Sequence, residues 1–263
     1  QEENEVVPSK FTDNDLLVFK QWLTDTVNKS ENPIDLAFLG GEPTASKAFY
    51  QMIEHITSLE NMRGKIQVTT NGNTNEFLFK KFVDAMDNSQ CQWAIHLSNE
   101  SFKQDSNLIR YGLNWERFES NLRTYAQHPS VKYILFDVAM NSVALPTFPE
   151  YLNWLYDVMS EYQKPFTILG AGVSDPDQMD VRILPESYKK YAVQAIEIVK
   201  QRQLPNTVNQ HKILDFLSSI ENRIGSDYQE DYYTQIKNFL HKKQEFKKTD
   251  KLMQLLEIME NHE

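Results

Sequence analysis

The chain has 263 residues, 40% of them hydrophobic and 24% charged, enough for one large α/β domain or a barrel with an appendage. Lys and Arg number 27 against 37 Asp and Glu, a formal charge of -10 with no long basic run, which argues against nucleic acid as a partner. No stretch reaches the roughly 18 consecutive apolar residues of a membrane span, and the acidic start at Gln1, Glu2 and Glu3 is unlike a signal peptide, so the expectation is a cytoplasmic chain with no membrane contact.

In chain order, short apolar runs at 34–39, 65–69, 92–97, 133–140 and 165–169 read as strands. Between them, 13–28, 46–59, 76–86, 115–126 and 148–161 carry apolar residues three and four apart, as in Phe77, Phe79, Phe82 and Val83, and read as crossover helices. Such βα alternation is the pattern of parallel strands, and the mostly apolar strands predict burial on both faces of the sheet. After about residue 175 only helical patterns remain, at 185–202, 211–224, 231–246 and 249–260. The expected organisation is therefore a core over residues 1–180 and a helical extension over 181–263.

In parallel α/β folds ligands sit at the carboxyl ends of the strands, so the residues just past each apolar run carry the functional signal. The first run ends in Gly40, Gly41, Glu42 and Pro43. Two glycines let a ligand approach the backbone, and a carbonyl beside a carboxylate suits an ammonium group, whereas a phosphate would call for more amides and a Lys or Arg. A tight βα turn with a solvated Glu is the alternative. The second run ends in Thr69, Thr70, Asn71, Gly72 and Asn73, short hydrogen-bonding side chains around an Asn-Gly turn. The third ends in Leu97, Ser98, Asn99, Glu100 and Ser101, able to hold a ribose hydroxyl or to cap a helix. His96, within that strand, reads as a core histidine.

Gly-Gly-Glu-Pro after the first run, Thr-Thr-Asn-Gly after the second and Leu-Ser-Asn after the third resemble, in that order, the radical SAM superfamily. Ile109, Arg110, Tyr111 and Gly112, then Trp115 to Phe118 with Asn121 and Leu122, then Met140, Asn141 and Ser142, look like its twitch-domain branch. The resemblance covers residues 11 to 175. It implies a partial (β/α)6 TIM-like barrel, here missing its first strand, with S-adenosylmethionine as cofactor. On this resemblance Gly40, Gly41, Glu42 and Pro43 contact the amino group of S-adenosylmethionine, Thr70 and Asn71 line the same pocket, and Ser98 faces the ribose. Arg110 pairs with the carboxylate, as the planar guanidinium fork is suited to do. Asn141 adds a hydrogen bond or simply caps a loop, and residues 167–173 flank adenine.

The family's defining Cys-x3-Cys-x2-Cys loop is absent. Cys91 is the sole cysteine, which excludes an internal disulfide and cannot hold a 4Fe-4S cluster, whose iron–sulfur core needs three thiolates here. Truncation is the simplest account: the chain reads as a piece of a longer protein, and the cluster belongs to the full-length parent only. That parent would cleave S-adenosylmethionine reductively to a 5'-deoxyadenosyl radical acting on an unknown substrate, a small molecule or peptide. A cluster-free S-adenosylmethionine-binding or partner-binding module of the same fold is the alternative. An unrelated barrel hydrolase or lyase using Glu42 with His96 or Asp137 ranks last.

Overall fold

A computed structural model describes residues 12–110 and 112–245, which form an α/β fold around one five-stranded parallel sheet. The strands are β1 (Leu36–Phe38), β2 (Lys65–Thr70), β3 (Gln92–Ser98), β4 (Val131–Met140) and β5 (Phe166–Gly172). The first helices are α1 (Asp13–Lys29), α2 (Lys47–Ser58), α3 (Glu76–Asn88), α4 (Gln104–Ile109), α5 (Trp115–Gln127) and α6 (Phe148–Tyr162). The tail adds α7 (Lys189–Gln201), α8 (Gln210–Arg223) and α9 (Tyr232–Glu245). The helical pattern at 249–260 lies outside the described residues. No helix among the described residues is long and apolar enough to cross a membrane.

Local chemistry accounts for where the helices begin. Thr12 and Asp15 form a reciprocal capping box at the start of α1. The carboxamides of Asn75 and Asn114 accept from the amides of Leu78 (3.0 Å) and Arg117 (2.8 Å) and start α3 and α5. Pro43 does not open α2 directly, because residues Pro43–Ala45 form a separate 3-10 turn before α2 begins at Lys47. The edge strand β1 is shorter than the sequence predicts because the Asp35 carboxylate, not a strand carbonyl, accepts from the Lys65 amide at 2.8 Å.

The strand order is β1-β2-β3-β4-β5, so each connection advances one strand in the same direction. Right-handed crossovers that always advance the same way place every helix on the same face of the sheet. Burial follows that rule. Ile66 and Val68 on β2, Trp93, Ile95 and Leu97 on β3, Ile134, Phe136 and Val138 on β4, and Phe166 and Ile168 on β5 alternate along the strands and are buried under the helices. The intervening residues lie on the opposite face, where Gln67, Thr69, His96, Ser98, Asp137, Ala139, Leu169 and Ala171 are half-buried or exposed and Ala94, Leu135 and Thr167 are buried. The expectation of burial on both faces holds in the middle of the opposite face, at Ala94, Leu135 and Thr167, and not toward the strand ends, where Asp137, Ala139, Leu169 and Ala171 are exposed.

No pairing joins β1 to β5 among the described residues, and the sheet is open at both edges. The start of β5 is partly covered by residues 206–208, with the Phe166 amide donating to the Asn206 carbonyl and the Val208 amide to the Phe166 carbonyl. The core is continuous from Leu16 on α1 to Ile236 on α9, so the tail packs on the same hydrophobic interior as the sheet. Beneath α3 and α5 it holds edge-to-face pairs of Phe82 with Trp93 and Tyr125, at centroid distances of 5.4 and 5.9 Å.

Strand β5 extends through Gly170 and Gly172, beyond the predicted end at Leu169, because α8 lies directly against it. A Cβ at Gly170 would sit 2.3 Å from the Phe216 ring. Gly170→Ala should therefore cost about 1–3 kcal/mol by overpacking. Urea denaturation will show this as a lower midpoint at unchanged slope, and a Phe216→Leu change should restore part of the loss.

Candidate functional site

The carboxyl ends of the strands carry two groups of polar residues. The first is built on the turn after β1. Gly40 and Gly41 adopt φ of 84° and 52°, in the left-handed region open to glycine, and nothing lies within 4 Å of where a Cβ would stand on either. None of the described hydrogen bonds uses the carbonyl of Gly40 or Gly41.

Glu42 follows and is tied to the end of β2. Its Oε1 accepts from the Thr44 amide (3.2 Å), the Thr44 hydroxyl (2.6 Å) and the Thr70 hydroxyl (2.7 Å), and its Oε2 accepts from the Asn71 amide at 2.7 Å. The Thr74 hydroxyl completes the chain by pairing with that of Thr44 at 2.5 Å, and Tyr50 donates to the Thr44 carbonyl at 2.9 Å. Burial, and then the Glu42 charge, push the Tyr50 phenol well above its ordinary value, so it serves as a donor. Four donors thus grip Glu42, and Oε2 keeps one lone-pair direction free.

The Asn71 carboxamide accepts from the Asn73 amide at 2.8 Å, closing an Asx turn. Asn121, reaching from α5, donates to the carbonyls of Gly72 and Thr74, both at 3.0 Å. The structure therefore brings Gly40, Gly41, Glu42, Thr70 and Asn71 together. Thr44, Thr74 and Asn121 belong to the same network; Thr44 is marked by its proximity to Glu42 in the chain and Asn121 by the stretch that carries the resemblance, whereas Thr74 has no such mark.

The second group lies at the β4 and β5 ends. Arg110, past α4, donates through Nε (2.9 Å) and Nη2 (2.6 Å) to a single oxygen of Glu100. Glu100 is buried, and burial raises its carboxyl above the usual range while Arg110 and the Ala139 amide pull it back down. Arg110 lines a cavity of about 390 Å³ with Asp137, Ala139 and residues 170–173 of β5 and its end. A different cavity, about 560 Å³, runs from the 40–43 turn along the free edge of β1 to Leu16 and Phe19 of α1. Arg110 and the Gly40–Gly41 turn thus line different cavities.

Ser98 is half-buried on the open face and stands in register with Asp137. His96 is on that face too and not in the core; burial lowers its imidazole below the ordinary value, against an upward pull from Asp137. Asn141 is buried in local capping: its Oδ1 accepts from the amides of Val143 (3.1 Å) and Ala144 (2.9 Å), and its Nδ2 donates to the Ala139 carbonyl. That geometry matches the loop cap.

Among the described residues no cluster of three or more His, Cys, Asp and Glu side chains is arranged to hold a metal. Cys91 is buried just before β3, at the amino end of the sheet, with its thiol 3.7 Å from the Met62 carbonyl. Burial, reinforced by Asp35, pushes the thiol up to about 11. No protein-family model matches the sequence, and no curated protein or solved structure matches it either.

The raised thiol gives a test with a definite sign. An unfolded cysteine ionises near about 8.5, so this group makes the fold lose stability as pH climbs from there through about 11. At about pH 8 a thiol-reactive disulfide reagent should modify the native chain at least about a hundredfold more slowly than the urea-unfolded chain, because the reactive thiolate is both scarce and covered.

Proposed function

We propose that this chain is the S-adenosylmethionine-binding part of a radical SAM enzyme, a partial (β/α)6 barrel whose first strand and cysteine loop are supplied by another part of the parent polypeptide. The observation that carries the reading is the 40–43 turn: two glycines with open space at their Cβ positions beside a carboxylate whose position is held by Thr44, Thr70 and Asn71. Those acceptors fit an ammonium group. Carbonyls of the turn and the free lone pair of Glu42 Oε2 are the acceptors such a group would use. The sulfonium cofactor, when bound, supplies the reactive adenosyl group; this chain's residues orient it.

The free edge of β1 supports the barrel reading. Leu39 is 64% exposed there, and α1 shows Leu17, Val18 and Trp22 on its surface, at 65%, 61% and 51%. A helix that leads into β1 by a right-handed crossover has its preceding parallel strand beside β1, along the 560 Å³ cavity. Thr70 and Ser98 lie at the carboxyl ends of the next two strands, where a ribose would extend from the bound ammonium end.

The described residues do not fit the 4Fe-4S cluster. A lone buried thiol at the amino end of the sheet is on the wrong side of the fold, and no catalytic step is assigned through it. This misfit favours a second reading, a cluster-free S-adenosylmethionine-binding module of the same fold.

Calorimetry separates binding from chemistry. The chain should bind S-adenosylmethionine at one site, and Gly41→Val, which forces a branched side chain to φ of 52°, should weaken it at least about tenfold. Absence of saturable binding by the folded chain sinks both readings. If the chain binds, anaerobic iron and sulfide reconstitution of the longer polypeptide decides between them, a cluster supporting the enzyme.

A further inference from the structure

We infer that the helical tail takes part in the binding rim: Arg223, the last residue of α8, and the buried Asp180 are positioning residues that set the carboxyl end of β5 and, with it, the affinity for the nucleoside part of the ligand. The identity of the ligand rests on the cofactor reading, in which residues 167–173 flank adenine. The clamp between tail and rim goes beyond that reading.

Residues 170–173 wall one side of the 390 Å³ cavity, and α8 backs them from the helix face. At Gly172 a Cβ would stand 2.1 Å from Arg223 Nη1 and 2.8 Å from its Cζ, so only a glycine lets the guanidinium lie against the strand backbone. Arg223 Nη2 then donates to both oxygens of Asp180, at 3.0 and 3.1 Å, and to the Val173 carbonyl at 3.4 Å. One cation thus holds the strand end and the loop that follows it.

Asp180 is the fixed point of the clamp. It is 1% exposed and also accepts from the Arg182 amide (3.0 Å) and the Arg182 Nε (2.6 Å). A buried carboxylate needs a cation, and Arg182, two residues away in the same turn, already supplies one. Arg223 comes from 43 residues further on, and what it adds is the link to β5. The contacts continue to β4, where the Ser142 amide and hydroxyl donate to the Met179 and Gln178 carbonyls at 2.9 and 2.7 Å, and the Val173 amide donates to the Met140 carbonyl at 2.8 Å. Both strands that line the cavity are therefore tied, through Asp180, to the end of α8.

Chemical-shift titrations with S-adenosylmethionine, 5'-methylthioadenosine and methionine test the inference. Arg223→Met should weaken the two adenosyl compounds about tenfold and leave methionine within about twofold, because Arg182 still neutralises Asp180 while the β5 end is released. Arg223→Lys should restore most of the loss, since one nitrogen meets all three acceptors and an ammonium carries three N–H groups. Arg202→Gln removes another tie between tail and core, the ion pair with Asp157 on α6, and should change none of the three affinities. Unchanged adenosyl affinity in Arg223→Met, an equal loss for all three ligands, no recovery in Arg223→Lys, or an equal loss in Arg202→Gln overturns the inference. Should Arg223→Met not fold, the wild-type chain decides: 5'-methylthioadenosine must shift the Gly172 and Val173 amides and the Arg223 side-chain signals, methionine must not, and any other pattern overturns it. Absence of saturable S-adenosylmethionine binding by the wild-type chain overturns the cofactor reading and this inference together, whereas binding that ignores Arg223 overturns this inference alone.

Discussion

Each crossover in this sheet moves one strand onward in the same direction, and most other features follow from that constraint. Right-handed connections then cannot distribute the helices over both faces. The helices form one layer, and the alternate side chains of β2 to β5 divide into a buried set led by Trp93, Phe136 and Phe166 and an open set containing His96, Ser98 and Asp137. The turns after β1 and β2 are drawn to the same rim. There the Glu42 carboxylate ties them side by side through Thr70 and Asn71.

Element types were legible in the sequence because their signals are local. Apolar residues three and four apart mark α3 and α5. What was not legible depends on the neighbour across the sheet or from another element. The shortening of β1 comes from the Asp35 side chain taking an amide of β2, a contact between residues 30 apart. The glycine-containing end of β5 remains a strand because Phe216 and Arg223 occupy the space beside it. No periodicity within residues 165–173 announces those partners.

The candidate site divides in the same way. Gly40, Gly41 and Glu42 were legible as a turn with acceptors, since adjacency alone places a carbonyl near a carboxylate. The partners Thr70 and Asn71 were picked from the end of their own strand, but their hydrogen bonds to Glu42 cross 28 and 29 residues. Asn121 belongs to the stretch that carries the family resemblance, but its reach across 49 residues to Gly72 has no local signal. Asn141 looked like a pocket residue because it follows a strand, yet the same position lets its side chain cap the next turn.

Glu42 and Glu100 have the same chemistry and opposite consequences. The donors around Glu42 are neutral hydroxyls and an amide, so they fix its position without cancelling its charge, and the rim near β1 keeps a negative potential suited to a cation. Glu100 is buried against a guanidinium, an arrangement in which most of the Coulomb gain offsets desolvation. Its pairing cancels the charge of Arg110 yet leaves that side chain's outward N–H groups oriented. An anion at Arg110 is therefore selected by hydrogen-bond geometry more than by long-range attraction.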